Sequence, residues 1–318
     1  MDLTIMVVNW NTTDLLVKCL QSVQKHGTGI GYDLIVADNA STDANVRLTA
    51  KRFTEFKWLF SRKNEGGLIV NHALRHIQGR YVLFLGSDAQ IQPGCLQEMI
   101  QHLDSFPMAG GVSAMLLNPD LSPQYYYRRL PETCTIFFCQ TALGSILDRA
   151  FFGNRFAREY EYQGISLESI VEIEQPPAAC LMIRSDLVRD KNGQIIDPRF
   201  PFYFNDVDLC KRIYNAGYHI YVLPEAKVIH QKSASFSKRK KVWNLTEYFT
   251  ALYHYIGKYH HGWVLVFYVY LICQTIFSIG TNLLRFLFSP NIQRYRTRLK
   301  QLYQLFSRIT RLRLSTND

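Results

Sequence analysis

The sequence lacks the marks of a disulfide-stapled, zinc-binding or dinucleotide-binding protein. Its seven cysteines, at 19, 95, 134, 139, 180, 210 and 273, form no CxxC pair and no zinc-type spacing. An odd, scattered set reads as reduced thiols of a cytosolic protein. The start, MDLTIMVVNWN, has no basic n-region and runs straight into a strand, so no signal peptide is expected. The first turn, NWNTTD, holds no GxGxxG, which argues against a dinucleotide. No Lys- or Arg-bearing glycine loop follows the first strand either, which argues against nucleotidyl transfer. Acids are scarce at one end: only Glu247 and Asp318 follow residue 236, against thirteen lysines and arginines. The rest of the chain is close to neutral, so the net charge of +10 belongs to the last quarter. A nucleic-acid enzyme spreads its basic residues over a working face. Charge gathered beside an apolar run points to anionic lipid headgroups instead, and no nucleic-acid partner is expected.

What is present is a chain of 318 residues, 47% hydrophobic, enough for one large domain or two ordinary ones and too apolar for disorder. The first 120 residues alternate strand and helix. Strands are predicted at Leu3–Val8, Asp33–Ala37, Trp58–Ser61 and Tyr81–Leu85. Helices are predicted through Leu15, Leu16, Cys19, Leu20 and Val23, after Ala40–Asp43 with Ser41 or Thr42 as N-cap, and from Asn64-Glu65-Gly66-Gly67 to about Gly79. This order predicts an α/β fold with a mostly parallel central sheet flanked by helices. Ligands bind such sheets at the carboxyl ends of the strands. Here those ends are Asn9-Trp10-Asn11, Asp38-Asn39 and Gly86-Ser87-Asp88, a polar and partly acidic set.

The middle is less regular. Tyr125–Tyr127 with Arg128-Arg129 reads as an edge strand with snorkelling arginines, or as a basic aromatic patch. Pro176-Pro177-Ala178-Ala179 leads into a strand at Leu181–Ile183, and Ala178 and Ala179 are small enough to let a ligand approach the backbone. Further strands are predicted at Tyr218–Leu223 and Val228–His230. Between them stands FPFYFNDVDLCKRIYNAG, residues 201–218. Asp206 and Asp208 open a helix whose buried side carries Val207, Cys210 and Ile213 and whose end is marked by Gly217. Two acids two apart face different sides of a helix, so at most one reaches a given pocket. The alternative is that both merely favour the helix start.

The last quarter is of another kind. Trp263–Leu284, WVLVFYVYLICQTIFSIGTNLL, is long enough to cross a bilayer, but Gln274, Thr275, Ser278, Thr281 and Asn282 interrupt it and basic residues flank both ends. An interfacial or re-entrant anchor is preferred over a single span. A basic amphipathic helix follows over 290–313, whose Leu299, Leu302, Leu305, Phe306 and Ile309 would dip into lipid. Two regions are therefore expected, an α/β domain over 1–236, the one that would carry any catalysis, and a membrane-associated helical region over 237–318.

Six motifs in order complete the pattern: MVVNWN (6–11), VADNASTD (36–43), NEGGLIVNHAL (64–74), GRYVLFLGSDAQI (79–91), FYFNDVDLCKRIYNAGY (202–218) and VIHQKSAS (228–235). Across residues 3–235 the chain resembles the family 2 inverting glycosyltransferases of the GT-A fold, especially bacterial cell-surface polysaccharide enzymes such as rhamnosyltransferases. The resemblance implies transfer of a sugar from a nucleotide-sugar donor, dTDP-rhamnose or a UDP-sugar, to a hydroxyl of a lipid-linked saccharide. It implies work at the cytoplasmic face of the inner membrane, peripheral or monotopic. Asp38 would accept from a uracil or thymine ring beside Asn9, Trp10 and Asn11. Asn64, Gly66 and Gly67 would let backbone approach the nucleotide sugar, and Ser87 and Asp88 complete the donor site. Asp88 and His230 would hold a divalent cation, Mg²⁺ or Mn²⁺. Asp206 would be the catalytic base, with Phe202, Tyr203 and Phe204 as the wall for sugar rings. Two positions depart from the family pattern: Gly86, where Asn or Asp is usual, and Asn205, where an acid is usual. They motivate the alternative of a catalytically inactive assembly subunit.

Overall fold

Strict alternation decides which of two cores each strand residue joins. In the first strand Leu3, Ile5 and Val7 belong to one apolar cluster and Met6 to the other; Leu34 and Val36 separate from Ile35 and Ala37 in the same way, as do Leu83 and Leu85 from Val82 and Phe84. A sheet apolar on both faces must be covered on both. The computed structural model describes residues 1–231, 241–288 and 292–312. Its strands are β1 (Leu3–Asn9), β2 (Tyr32–Asp38), β3 (Lys57–Phe60), β4 (Tyr81–Gly86), β5 (Ala89–Ile91), β6 (Ala109–Leu117), β7 (Val171–Glu172), β8 (Cys180–Arg184) and β9 (His219–His230). The helices are α1 (Thr13–His26), α2 (Asn45–Arg52), α3 (Cys95–Ser105), α4 (Thr133–Gln140), α5 (Ala142–Phe151), α6 (Arg155–Tyr160), α7 (Asn205–Asn215), α8 (Lys241–Tyr259), α9 (Val264–Phe288) and α10 (Ile292–Leu312).

The sheet runs β3-β2-β1-β4-β8-β6-β9-β5, with β7 paired to β9. It is parallel from β3 to β4 and mixed beyond, because β8 runs antiparallel to both β4 and β6. The parallel half therefore presents the ends of β1, β2 and β4 along one edge, where the polar residues lie. One face is covered by α1, through Leu16, Cys19, Leu20 and Val23, and by α3, through Cys95, Leu96, Met99 and Leu103. The other is covered by a 3₁₀ helix over Gly66–His76, by α7 and by α8.

Several local expectations change. Ser41 and Thr42 do not cap α2, which starts four residues later behind Ala44; both are taken up by the loops at the strand ends, described below. The helix expected from Gly66 is a 3₁₀ helix and ends at His76, three residues short of Gly79. The two strands expected at 218–223 and 228–230 are one strand, β9, whose register against β6 slips where Ala114 pairs with Leu223 and Met115 with Lys227. Gly217 ends α7 as expected, at φ +85°. Arg128 and Arg129 are structural, paired with Glu161 (3.2 Å) and Glu174 (2.9 Å).

Burial runs across residue 236. Ala251, Leu252, Tyr255 and Ile256 of α8 are at most 3% exposed and share the core with β1, β4 and α7. Lys258 of α8 reaches Asp208 Oδ1 at 2.6 Å and Asp197 Oδ2 at 2.8 Å. Helix α9 is different. It buries Phe267, Leu271, Thr275 and Asn282, one side of the helix, and exposes Leu265, Val266, Val269, Ile276, Phe277, Leu283 and Leu284. Two of the polar interruptions are thus inside and the large apolar residues outside, the reverse of a helix folded for water. Helix α10 packs along α9 and reaches α8. Its Leu299, Leu302 and Phe306 are half-buried. Lys238, Arg239 and Lys240, the end of the VIHQKSAS motif, residues 290 and 313, and the side chains of Leu305 and Ile309 lie outside the described residues.

Candidate active site

At the carboxyl ends of β1, β2 and β4, one polar network ties the loops together. Asn9 is fully buried, donates to Asp38 Oδ1 (2.8 Å) and Ser41 Oγ (3.2 Å), and accepts from Thr12 Oγ1 (2.8 Å). Thr12 and Ser87 hydroxyls lie 2.8 Å apart, which carries the network on to β4. Ser41 donates from both N–H and Oγ to Asp38 and accepts from the Asn11 N–H. Asn11, at φ +56°, accepts from the backbone N–H and hydroxyl of Thr42. Asp38 is only 3% exposed, and Asn9, Ser41 and Asn11 thereby fix the shape of the first two loops. A buried carboxylate is tolerable because three donors satisfy it.

The glycine loop is held by Asn39, also buried. Its Nδ2 donates to Gly66 O (2.8 Å), and its Oδ1 accepts from Glu65 N (2.7 Å). Asn64 accepts from Gly66 N (3.0 Å), a turn within its own loop. Glycine is required at 66 for two reasons. Its φ is +62°, and a Cβ there would stand 2.0 Å from Pro201 O and 2.5 Å from the Phe202 ring. At Gly67 a Cβ would meet Asn205 Nδ2 at 2.5 Å. What approaches these glycines is therefore the 201–205 segment of the chain itself.

That approach forms one wall of a cavity of about 380 Å³, within the range of small-ligand sites. Trp10, Gly66, Gly67, Ala178, Phe202, Tyr203, Phe204 and Asp206 all line it, together with Asn39, Gly86 and Asn205. The cavity wall does not include Asn9, Asn11, Asp38, Asn64, Ser87, Asp88, Ala179 or His230. Among these Ala179 accepts from Gly86 N at 2.9 Å and so sits directly behind the lining.

Asp206 is partly buried at the first turn of α7. Loss of hydration raises its pKa; the Val207 N–H (2.9 Å) and the Gln175 side chain oppose the shift without cancelling it. Its own N–H donates to Asn205 Oδ1 at 2.7 Å. The residue before the helix, Phe204, is buried at φ +63°, a strained conformation for a bulky side chain. Tyr248 and Tyr255 of α8 hold its ring, with centroids 5.6 and 5.3 Å away. Asp208 points elsewhere. At 1% exposure it accepts from Lys258, Arg212 (3.1 Å) and Tyr259 (2.7 Å), so it fastens α7 to α8.

Asp88 and His230 are brought together on the far side of Gly86 by the pairing of β5 with β9. His230 Nε2 is 3.5 Å from Asp88 Oδ1. Gln124, 2% exposed, settles the imidazole tautomer. Its Nε2 donates to His230 O (2.7 Å), so its Oε1 faces His230 Nδ1 at 2.9 Å and accepts that proton. Burial lowers the His230 pKa against the pull of Asp88. A neutral ring protonated on Nδ1 turns the Nε2 lone pair toward a carboxylate. Two acceptors facing each other suit a cation between them. Gly86 leaves them room, since a Cβ there would come within 2.8 Å of Asp88 Oδ1. Among the described residues no group of three or more His, Cys, Asp or Glu side chains is placed to hold a metal. A two-ligand site fits an ion that keeps waters and completes its shell with substrate phosphates.

Sequence reasoning placed Asn39 at a strand end without giving it a role, and missed Thr12, Gln124 and Gln175. Thr12 stands in the quoted turn NWNTTD, a usable signal; Gln124 and Gln175 carry none.

A mixed sheet with its ligand cavity at the parallel strand ends defines a nucleotide-binding fold of GT-A type. Residues 4–157 match the family described as glycosyl transferase family 2, and the chain carries a glycosyltransferase domain of that family. Its relatives sharpen the comparison. It is 24% identical over 248 residues to the N-acetylglucosaminyl-diphospho-decaprenol L-rhamnosyltransferase of Mycobacterium tuberculosis, covering 72% of this chain and 76% of that one. The crystal structure of S. aureus TarS 1–349 superposes with a TM-score of 0.50 at 15% identity, covering 96% of this chain and 92% of that one. That likeness shows the fold. Of another S. aureus TarS crystal structure the chain spans 37%, with a TM-score of 0.49.

Proposed function

We propose that this glycosyltransferase moves a sugar, with inversion, from a nucleoside diphosphate to a hydroxyl of a lipid-linked saccharide. The observation that carries the reading is Asp206: a carboxylate of raised pKa on the wall of a sugar-sized, aromatic-lined cavity. In that position it accepts the proton of the acceptor hydroxyl. The oxygen then attacks the anomeric carbon from the side opposite the diphosphate, and the bond from that carbon to the diphosphate oxygen breaks. A raised pKa makes the carboxylate a better base. Phe202 and Tyr203 offer apolar faces on which sugar rings rest. The loops fixed by Asn9, Asp38 and Asn39 support the nucleotide. Asp88 and His230 would hold a divalent cation, Mg²⁺ or Mn²⁺, whose charge neutralises the departing diphosphate.

The mycobacterial relative's name supports L-rhamnose as the sugar, from dTDP-rhamnose, and a diphospho-polyprenol-linked acceptor. Cell-surface polysaccharide synthesis at the cytoplasmic face of the membrane follows as the setting. The exposed apolar side of α9, in the one helix long and apolar enough to cross a membrane among the described residues, supports attachment there. In this reading residues 1–236 with α8 form the catalytic unit, and the chain beyond it meets the lipid.

The test is nucleotide release by the full-length protein in membranes, against dTDP-, UDP- and GDP-sugars with and without Mg²⁺ or Mn²⁺. One donor should be used, and Asp206→Asn should keep donor affinity while losing turnover by about two to four orders of magnitude. Near-normal turnover of Asp206→Asn moves the role to another acid.

A further inference from the structure

The apolar surface does not stop at α9. Helices α4 and α5 form a hairpin against it: the N–H of Ala142 donates to the Tyr270 hydroxyl of α9 at 2.9 Å, and Gln140 meets the Tyr248 hydroxyl of α8. Between α4 and α9 runs an apolar groove of about 380 Å³, walled by Ile136, Phe137, Trp263, Val266, Phe267 and Tyr270. Beyond it α5 exposes Leu143 (51%), Ile146 (64%) and Phe151 (76%), with Phe152 next in the chain. Soluble surfaces rarely gather so many large apolar side chains, and such patches mark interaction sites.

Charge selects the occupant. Helix α4, TCTIFFCQ, has no charged residue. The only acid of α5, Asp148, is 1% exposed, because its carboxylate accepts the N–H groups of Phe156 (3.2 Å) and Ala157 (3.0 Å) that begin α6. Its neighbour Arg149 is exposed, as is Arg158 of α6. Helix α10, packed along α9, has no acid in its sequence and exposes Arg296, Arg298 and Lys300. The exposed acids beside it are paired, Glu132 before α4 with Lys211 (2.6 Å) and Glu159 of α6 with Arg155 (2.8 Å), so the apolar face keeps a cationic rim, which complements hydrocarbon beneath anionic headgroups.

We propose that the α4–α5 hairpin is a second membrane-inserting element, continuous with α9, and that an anionic lipid leaflet occupies the joint face, its hydrocarbon chains filling the α4–α9 groove. The inference rests on the reading of α9 as membrane-associated and deepens it. Two elements far apart in sequence fix the orientation of a body on a surface, where one leaves it free to swivel. Helix α8 touches both the groove and the cavity of the candidate site: Ile256 lines the groove, and the preceding Tyr255 packs on Phe204, which lines the cavity.

The test mixes the full-length protein with phosphatidylcholine vesicles, with and without phosphatidylglycerol, and measures co-sedimentation. Ile146→Glu/Phe151→Glu should lower partitioning at least about tenfold. Leu48→Glu, equally exposed on α2, should leave it unchanged. Ile146→Ser/Phe151→Ser should weaken binding without added charge, and all variants should melt with the wild type. Omitting phosphatidylglycerol should weaken wild-type binding. Unchanged binding by both α5 variants overturns the proposal, as does equal wild-type binding to both vesicle types. So does a wild-type oligomer that the α5 variants dissociate while vesicle binding persists, which assigns the face to a second copy. A wild type that binds no vesicle overturns the reading of α9 as well; none of these outcomes depends on sugar transfer.

Discussion

Replacing Lys258 by methionine isolates the tie between α7 and α8. The ammonium lies 2.6 Å from Asp208 and 2.8 Å from Asp197, carboxylates of 1% and 6% side-chain exposure, and is itself only 18% exposed. Removing one partner of a buried pair typically costs about 3–5 kcal/mol, because the remaining charge stays buried. Here the lower end applies. Asp208 keeps Arg212 and Tyr259, and Asp197 keeps Arg199 at 2.7 Å. A cost of about 3 kcal/mol, set against an unfolding entropy proportional to a chain of this length, lowers the melting temperature by roughly 4–5 °C. Scanning fluorimetry in one detergent at neutral pH reads it directly. The loss should shrink in acid. Ion pairing and hydrogen bonds with Arg199 and Lys258 outweigh burial and hold the Asp197 carboxyl far below its ordinary range. A depressed folded pKa stabilises above the unfolded pKa and fades as pH falls through the folded one. Asp208→Asn combined with Lys258→Met should cost less than the sum of the two singles. A melting temperature within about 1 °C of wild type, or strict additivity, refutes the claim that this pair fastens the helices.

Four further outcomes follow from the site. Turnover should fall on the acid side with an apparent pKa above the ordinary carboxylate value of about 4, and Asp206→Asn should lose that limb; a limb at or below 4 removes Asp206 as base. A raised folded pKa means that ionised Asp206 costs stability at neutral pH, so Asp206→Asn should melt no lower than wild type. Gly66→Ala should lose about 1–3 kcal/mol in a denaturant titration, given its positive φ and the 2.0 Å approach to Pro201 O; no measurable loss would mean that the 201–205 segment does not rest on this loop. Gln124→Leu removes the acceptor that fixes His230, and half-saturating Mn²⁺ for sugar transfer should rise about 10–100-fold; an unchanged value detaches His230 from the ion.

Local rules made the strands legible. Leu3, Ile5 and Val7 against Met6, or Leu83 against Val82 and Phe84, state their own faces, and Gly217 marks its helix end. The candidate site was legible where a quoted motif lines the cavity, as at Trp10, Gly66 and the 202–206 run. Long-range demands were not. Ser41 looks like an N-cap because its neighbours propose a helix, yet Asp38 and Asn9 outbid the helix for its hydroxyl. Gln124 serves His230 across 106 residues, and Lys258 serves Asp208 across 50, so no spacing rule finds them. The backbone strain at Phe204 leaves no trace in composition. Nor does the outward turn of Ile146 and Phe151, since an apolar helix reads alike whether its partner is protein or lipid.

Helix α8 sets a limit on where this chain can be divided. Four of its side chains complete the core of the catalytic half and Lys258 closes its charge balance, while Val264 begins the apolar helix only five residues after α8 ends. A shortened chain ending at 236 would shed the α8 share of the core and should be recovered insoluble or unfolded, whereas one ending after His260 keeps that share and loses from the core only the side chains of α9, chiefly Phe267 and Leu271. The seam at which this catalytic unit can be joined to a foreign segment with least loss of core therefore lies at the turn between α8 and α9.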